Sequence, residues 1–335
     1  MSTALDRPAT KPALPTARGP LSATVLALLT EGRTPPEELD TFDPFGEDLQ
    51  LALYLCYELH YRGFDGVDED LEWDLDLLRV RSQLEDEFLV ALRHAVPGGD
   101  DLDAEIAGLV TEPVDGQGIS HFLLREGTLD HYREYVAMRS LYHLKEADPQ
   151  AWVIPRLHGA VKAAVVAVEY DEYGAGRSDR MHAQLYADMM RELGLDDGYG
   201  HYLDHAPATV LAEINLMTLC GLRRSLRGAA IGQFAVIELT SSPGSARLVR
   251  AARRLGAGPA TERFYAEHVE ADAVHEQVLQ HEVLGPLVAG EPELAADIVF
   301  GIQASDVLAT RFAERTLRAW RDGGSALRRP TNLGS

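Results

Sequence analysis

From Thr261 to Val283 the chain runs for 23 residues without a glycine or proline, and His268, Asp272 and His275 recur inside that window at helical spacing. At about 100° per residue, Asp272 lies roughly 40° round the axis from His268 and His275 about 20° to the other side. One helical stripe therefore carries two imidazoles and a carboxylate, with alanines and valines between the polar positions. A stripe of this kind is either solvated or turned inward onto a cation. A mixed nitrogen and oxygen set suits iron, manganese or zinc better than calcium or magnesium, which prefer oxygen shells.

Other acids and histidines stand in similar settings. Glu169-Tyr-Asp171-Glu172-Tyr-Gly-Ala-Gly-Arg-Ser-Asp179-Arg-Met-His182 follows the apolar run Val161 to Val168. Glu238 lies in the apolar run Ala229 to Leu239, where a charge is costly to bury unless paired, protonated or metal-bound. Glu146 ends another, in Leu144-Lys-Glu146-Ala-Asp-Pro. Inward carboxylates and histidines from separate helices are how a helical bundle builds a dinuclear metal site. Each has a plainer alternative. Glu172 precedes Gly174 and Gly176, which break a helix, Glu238 precedes Thr240-Ser-Ser-Pro243, and Glu146 sits at the Asp148-Pro149 boundary.

These blocks resemble the iron-containing redox enzymes of the haem-oxygenase-like diiron oxidase superfamily, over roughly Asp48 to the final helix. That family carries an early glutamate, then Glu-x9-His, a further glutamate, and His-x3-Asp-x2-His. The resemblance implies the ligands Glu146, Glu172, His182, Glu238, His268, Asp272 and His275. The Glu172–His182 pair and the triplet keep the family spacing, whereas Glu146 and Glu238 have no local signature. Asp179, three residues before His182, is the rival partner by ferritin-like spacing; Ser178-Asp179 after two glycines reads instead as an N-cap. The resemblance further implies an all-α, haem-oxygenase-like helical bundle of about seven core helices, two Fe(II) ions per chain, no haem, and oxidation of an amino-acid-like or fatty-acid-like small molecule by O2. A homodimer and an external electron donor are compatible with it. The rival functions are a metal-free small-molecule enzyme on the same scaffold and a non-catalytic metal-binding protein. Asp171, Glu169 and Glu270 read as surface groups or as partners that orient ligating imidazoles, and His281 as solvated.

Composition narrows the partners. A formal charge of −22 argues against nucleic acid and anionic membranes. The cluster Arg223-Arg224-Ser-Leu-Arg227 reads as helix-terminal charge, with an anionic substrate as the alternative. Only Cys56 and Cys220 occur, so no disulfide framework exists and a reducing, cytoplasmic setting is the default. No apolar run approaches the roughly 20 residues needed to span a bilayer, and Leu21 to Leu29 lacks the cleavage site of a signal sequence.

Punctuation divides the chain into a mobile leader (1–19), an N-terminal helical extension (20–118), a metal-bearing bundle (119–325) and a tail (326–335). Periodicity predicts helices over 21–30, 47–62, 74–95, 101–109, 129–145, 155–173, 179–193, 208–222, 229–241, 244–255, 261–283 and 291–321, with loops at 97–101 and 111–118. Strand signals are scarce.

Overall fold

The computed structural model describes residues 11–37, 39, 42–111, 116–331 and 333, and among them every regular element is helical, with no strand. The N-terminal part supplies α1 (Pro20–Glu31), α2 (Glu47–Glu58), α3 (Leu75–Ala95) and α4 (Leu102–Val110). Then come α5 (Ile119–Arg125), α6 (Leu129–His143), the single turn α7 (Asp148–Ala151), α8 (Gly159–Glu172) and α9 (His182–Glu192). The chain continues through α10 (Ala208–Leu222), α11 (Arg227–Leu255), α12 (Pro259–Val278), the short α13 (Gly285–Gly290) and α14 (Ala295–Arg321).

Local chemistry starts several of these helices. Asp74 accepts from Leu77 N at 2.9 Å, Asp101 from Ala104 N at 3.1 Å and Thr128 from His131 N at 3.3 Å, each satisfying an amide the first turn leaves free. The first-turn amides of α1 are met from α2, where Asp48 accepts from Leu21 N and Ser22 N at 2.9 and 2.7 Å. α2 and α10 are apolar on nearly every face, and a helix of that kind belongs in a protein interior. They pack against each other at the centre, and a single hydrophobic cluster runs from Leu21 to Leu327. α11 lies between α12 and α14.

At two points of the α11–α14 contact, backbone meets backbone. Gly232 and Gly301 leave no room for a side chain, since a Cβ on either would run into Ile298 O or Ala229 O of the opposite helix. Glycine at these two positions lets the two axes approach closely.

Several expectations change. The break at Pro243 does not exist, and α11 is one helix of 29 residues. Pro243 is exposed, so its ring meets solvent, and the serines before it serve α12: Ser241 Oγ donates to Asp272 and Ser242 Oγ to Val269 O. The helix α5 falls between the predicted segments, and α12 passes at Leu279 into a π-helical turn, Leu279–Leu284. Residues 11–19 are docked rather than free: Asp65 N donates to Pro12 O at 2.8 Å, Thr16 N to Asp204 Oδ1 at 3.1 Å, and Arg18 pairs with Glu47 at 2.6 Å. In the expected tail, Ala326 and Leu327 are buried. Residues 1–10 of the leader, 112–115 of the loop, and 332, 334 and 335 of the tail lie outside the described residues. Arg223 binds Glu85 and Arg227 binds Glu291 at 2.6 Å, so those two arginines of the basic cluster hold helices together.

Candidate metal centre

Five segments converge on one interior point. Glu146 comes from the turn after α6, Glu172 from the last turn of α8, His182 from the first residue of α9, Glu238 from α11, and His268, Asp272 and His275 from α12; all are buried. Their ligand atoms form two groups, Glu146, His182 and His268 in one and Glu172, Glu238, Asp272 and His275 in the other, each with its atoms within 4.8 Å of one another. The groups meet at Glu172. Its Oε2 lies 2.7 Å from His182 Nδ1 and its Oε1 3.6 Å from His275 Nδ1. A small void lined by Glu146, Glu172, Glu238, His268 and Asp272 lies between them.

Backbone geometry brings Glu172 and His182 together. After α8 the chain turns through two short 3-10 segments, Gly174–Gly176 and Ser178–Arg180. Gly174 has φ +70°, and a Cβ there would sit 2.6 Å from Met181 N, so the return requires glycine. Asp179 is 63% exposed and pairs with Arg177 at 3.7 Å. The N-cap expected of it is absent, because α9 begins at His182 behind Met181 and receives no side-chain cap. The two intervening residues, Arg180 and Met181, carry Asp179 out of reach of the helix amides and of the centre alike.

Glu146 is presented by strained backbone, since the next residue, Ala147, is buried with φ +75°. The preceding residue anchors the same turn: Lys145 Nζ binds Glu58 of α2 at 2.8 Å, and both are buried.

Hydrogen bonds orient the imidazoles. His268 Nδ1 donates to Phe264 O at 2.8 Å, which leaves Nε2 without a partner and 3.7 Å from Glu146. On His275, Nδ1 faces Glu238 at 3.0 Å while Nε2 lies 3.5 Å from Asp171 Oδ2, the orienting partner expected of Asp171. The 2.7 Å approach of His182 Nδ1 to Glu172 does not meet hydrogen-bond geometry, and Glu146 Oε2 is also buried without a partner. Buried, unpaired lone pairs that converge on one void suit a cation.

Charge supports the same fit. Four carboxylates, those of Glu146, Glu172, Glu238 and Asp272, match two divalent cations, with the three imidazoles neutral. Without cations the imidazoles must compensate. Burial opposes the imidazolium, but Glu146 holds His268 up to about 10, and Glu238 holds His275 up to about 9. Burial lifts Glu238 and Asp272 above the ordinary carboxylate range.

Three neighbours were not singled out as site residues from the sequence. His143 Nδ1 lies 2.7 Å from Glu146 Oε1 and stacks on Tyr186, ring centroids 4.6 Å apart. Ser241 donates to Asp272. Glu169, read as a surface or orienting group, is 2% exposed with neither oxygen partnered, and burial together with Glu172 and Glu238 pushes its carboxyl up to about 9. A signal for two of them was present: His143 and Glu169 each precede a candidate ligand by three residues, which on a helix means one face. Glu270 and His281 are exposed, as expected.

A cavity of about 490 Å³ opens beside the centre, with Glu146, His268 and His143 in its wall. Among the described residues no helix is long and apolar enough to cross a membrane. Compared with known protein families, residues 133–309, just over half of the chain, match the family described as iron-containing redox enzyme. No curated protein matches the chain.

Proposed function

The chain belongs to the family of iron-containing redox enzymes, with its haem-oxygenase-like helical fold, and on that premise we propose that it is a non-haem diiron enzyme that uses O2 to oxidise a small organic substrate. Glu146, His182 and His268 would hold one iron, Glu238, Asp272 and His275 the other, and Glu172 would serve both. The observation that carries this reading is the divided orientation of Glu172, one oxygen toward His182 and the other toward His275. When bound, the iron pair would activate dioxygen, which is the oxidant of the reaction.

The chain's own residues do the rest. His143 steadies Glu146, Ser241 steadies Asp272, and Asp171 fixes which nitrogen of His275 faces inward. In the iron-free protein, burial and the neighbouring carboxylates Glu172 and Glu238 hold the Glu169 carboxyl up at about 9. The cavity wall formed by Leu216, Val236, Ile237, Leu308 and Phe312 excludes water from the substrate's carbon skeleton. An amino-acid-like or fatty-acid-like molecule suits such a wall, and an external reductant is required for turnover that consumes more electrons than the substrate gives.

The test is anaerobic titration with Fe(II), followed by oxygen exposure under stopped-flow absorbance with and without candidate substrates. Two Fe(II) per chain and substrate-dependent oxygen consumption are expected. Saturation at one iron removes the diiron claim, and oxygen consumption indifferent to every organic substrate favours a metal-binding role without catalysis.

A further inference from the structure

The cavity has a charged end that the metal-centred reading does not use. Tyr135, Arg139, Tyr142, His143 and Glu146 all line it, so α6 and the turn after it lie along its length. Arg139 stands one helical turn before His143, and by helical rise roughly 10 Å along the axis from Glu146. There it forms an ion pair with Glu213 of α10. Both side chains line the cavity, with 22% and 11% of their surfaces open. Arg139 NH1 makes the pair, while Nε is buried without a partner. The guanidinium carbon lies 5.7 Å from the centroid of the Phe312 ring, which also lines the cavity.

An ion pair set in a cavity wall selects by sign. A lone carboxylate that meets Arg139 comes to rest beside Glu213, and a lone ammonium that meets Glu213 comes to rest beside Arg139; in a low-dielectric cavity either like-charge contact is unfavourable. A head group carrying both charges on neighbouring atoms completes an alternating set of four, with each charge next to its opposite. The remainder of the cavity is walled by aliphatic and aromatic side chains with some hydroxyl and amide groups, and by a second cation, Arg247, whose Nε donates to Ser120 Oγ at 2.9 Å.

We propose that Arg139 and Glu213 form the recognition end of this cavity, and that it takes a zwitterionic α-amino acid whose carbon side chain extends toward the carboxylate–histidine centre. The assignment of which end reacts rests on the diiron reading above. Recognition itself does not, and is read by binding.

The experiment is calorimetric titration of the iron-loaded protein, kept anaerobic, and of the iron-free protein, with norleucine, hexanoate and pentylamine. These probes share an aliphatic chain and differ in head-group charge. Norleucine is expected to bind about tenfold or more tightly than either single-charge probe. A single substitution leaves a charge orphaned in the interior and threatens folding, so the deciding variant removes both charges, Arg139→Met with Glu213→Leu. It should keep its helical circular dichroism and its iron uptake while losing the preference for norleucine. Hexanoate or pentylamine binding as tightly as norleucine, the preference surviving in the double variant, or no binding of norleucine would each overturn the proposal. Selective norleucine binding by a protein that takes up only one iron would uphold it while removing the diiron reading.

Discussion

Glu172 Oε2 and His182 Nδ1 lie 2.7 Å apart across a turn whose return depends on a left-handed glycine. Asp179, three residues from His182, faces solvent instead. Glu172→Ala should therefore weaken iron uptake by at least about tenfold, because a buried cation loses a charge partner. Asp179→Ala should leave uptake unchanged and shift stability by no more than about 0.5 kcal/mol, as expected for an exposed group without a cap to lose. Iron titration and urea unfolding of the two variants side by side check this, and the reverse ranking would move the centre.

Asp272→Ala should abolish reaction with oxygen while leaving helical circular dichroism nearly intact. His281→Ala, at an exposed position beyond the triplet, should react like the parent protein. Equal behaviour of the two variants in stopped-flow oxygen reactions would refute the inward stripe.

Iron affinity should rise with pH. His268 and His275 titrate at about 10 and about 9 in the iron-free protein, so both are imidazolium at pH 7 and must release a proton to bind a metal. Their raised values stabilise the iron-free fold below the ordinary histidine value near 6.5, an advantage lost as pH climbs through 9 to 10. Fe(II) affinity measured at pH 6, 7 and 8 should increase by about tenfold or more per unit, with proton release detectable in weakly buffered solution. A flat profile would contradict it.

Glu169 gives a second pH dependence. Its carboxyl, raised to about 9, stabilises the fold fully below the ordinary carboxylate range and loses that contribution as pH rises through about 9. In the iron-free protein, melting temperature should fall less between pH 5 and 9 for Glu169→Gln than for the parent. Parallel melting curves would show that Glu169 is not protonated in the fold.

Ala147 follows Glu146 in left-handed backbone with φ +75°. Ala147→Gly should relieve strain of about 1 kcal/mol, partly offset by glycine's greater unfolded freedom. A small rise in urea midpoint is expected, together with weaker iron binding because Glu146 is less firmly held. A loss of stability would show that the strain is fully compensated by packing.

How much of this was legible follows from the range of each signal. The triplet shares one helix, so periodicity alone set its face. The Glu172–His182 pair depended on a known spacing, because no helical rule relates residues across two glycines. Glu238 announced itself as a charge in an apolar run, but Pro243 made α11 read as two helices; the physics that keeps it whole, packing by α12 and α14 on either side, is long-range. The place of Glu169 on the Glu172 face of α8 was legible in their spacing, but its burial without a partner and the meeting of Arg139 with Glu213 arise from the assembly of separate helices. No local pattern distinguishes an acid facing a cavity from one facing water.

The glycine contact between α11 and α14 bears on how such a protein changes its diet. Both helices line the cavity, and their spacing is fixed by Gly232 and Gly301, where backbone meets backbone. The width of the chamber is thus a property of the main chain, insensitive to which side chains furnish it. New molecules are admitted by trimming or enlarging residues such as Leu308 and Phe312 inside a frame of constant gauge, and a substitution that spread the frame would also shift Glu238 on α11 relative to α12, the helix that carries its partner His275.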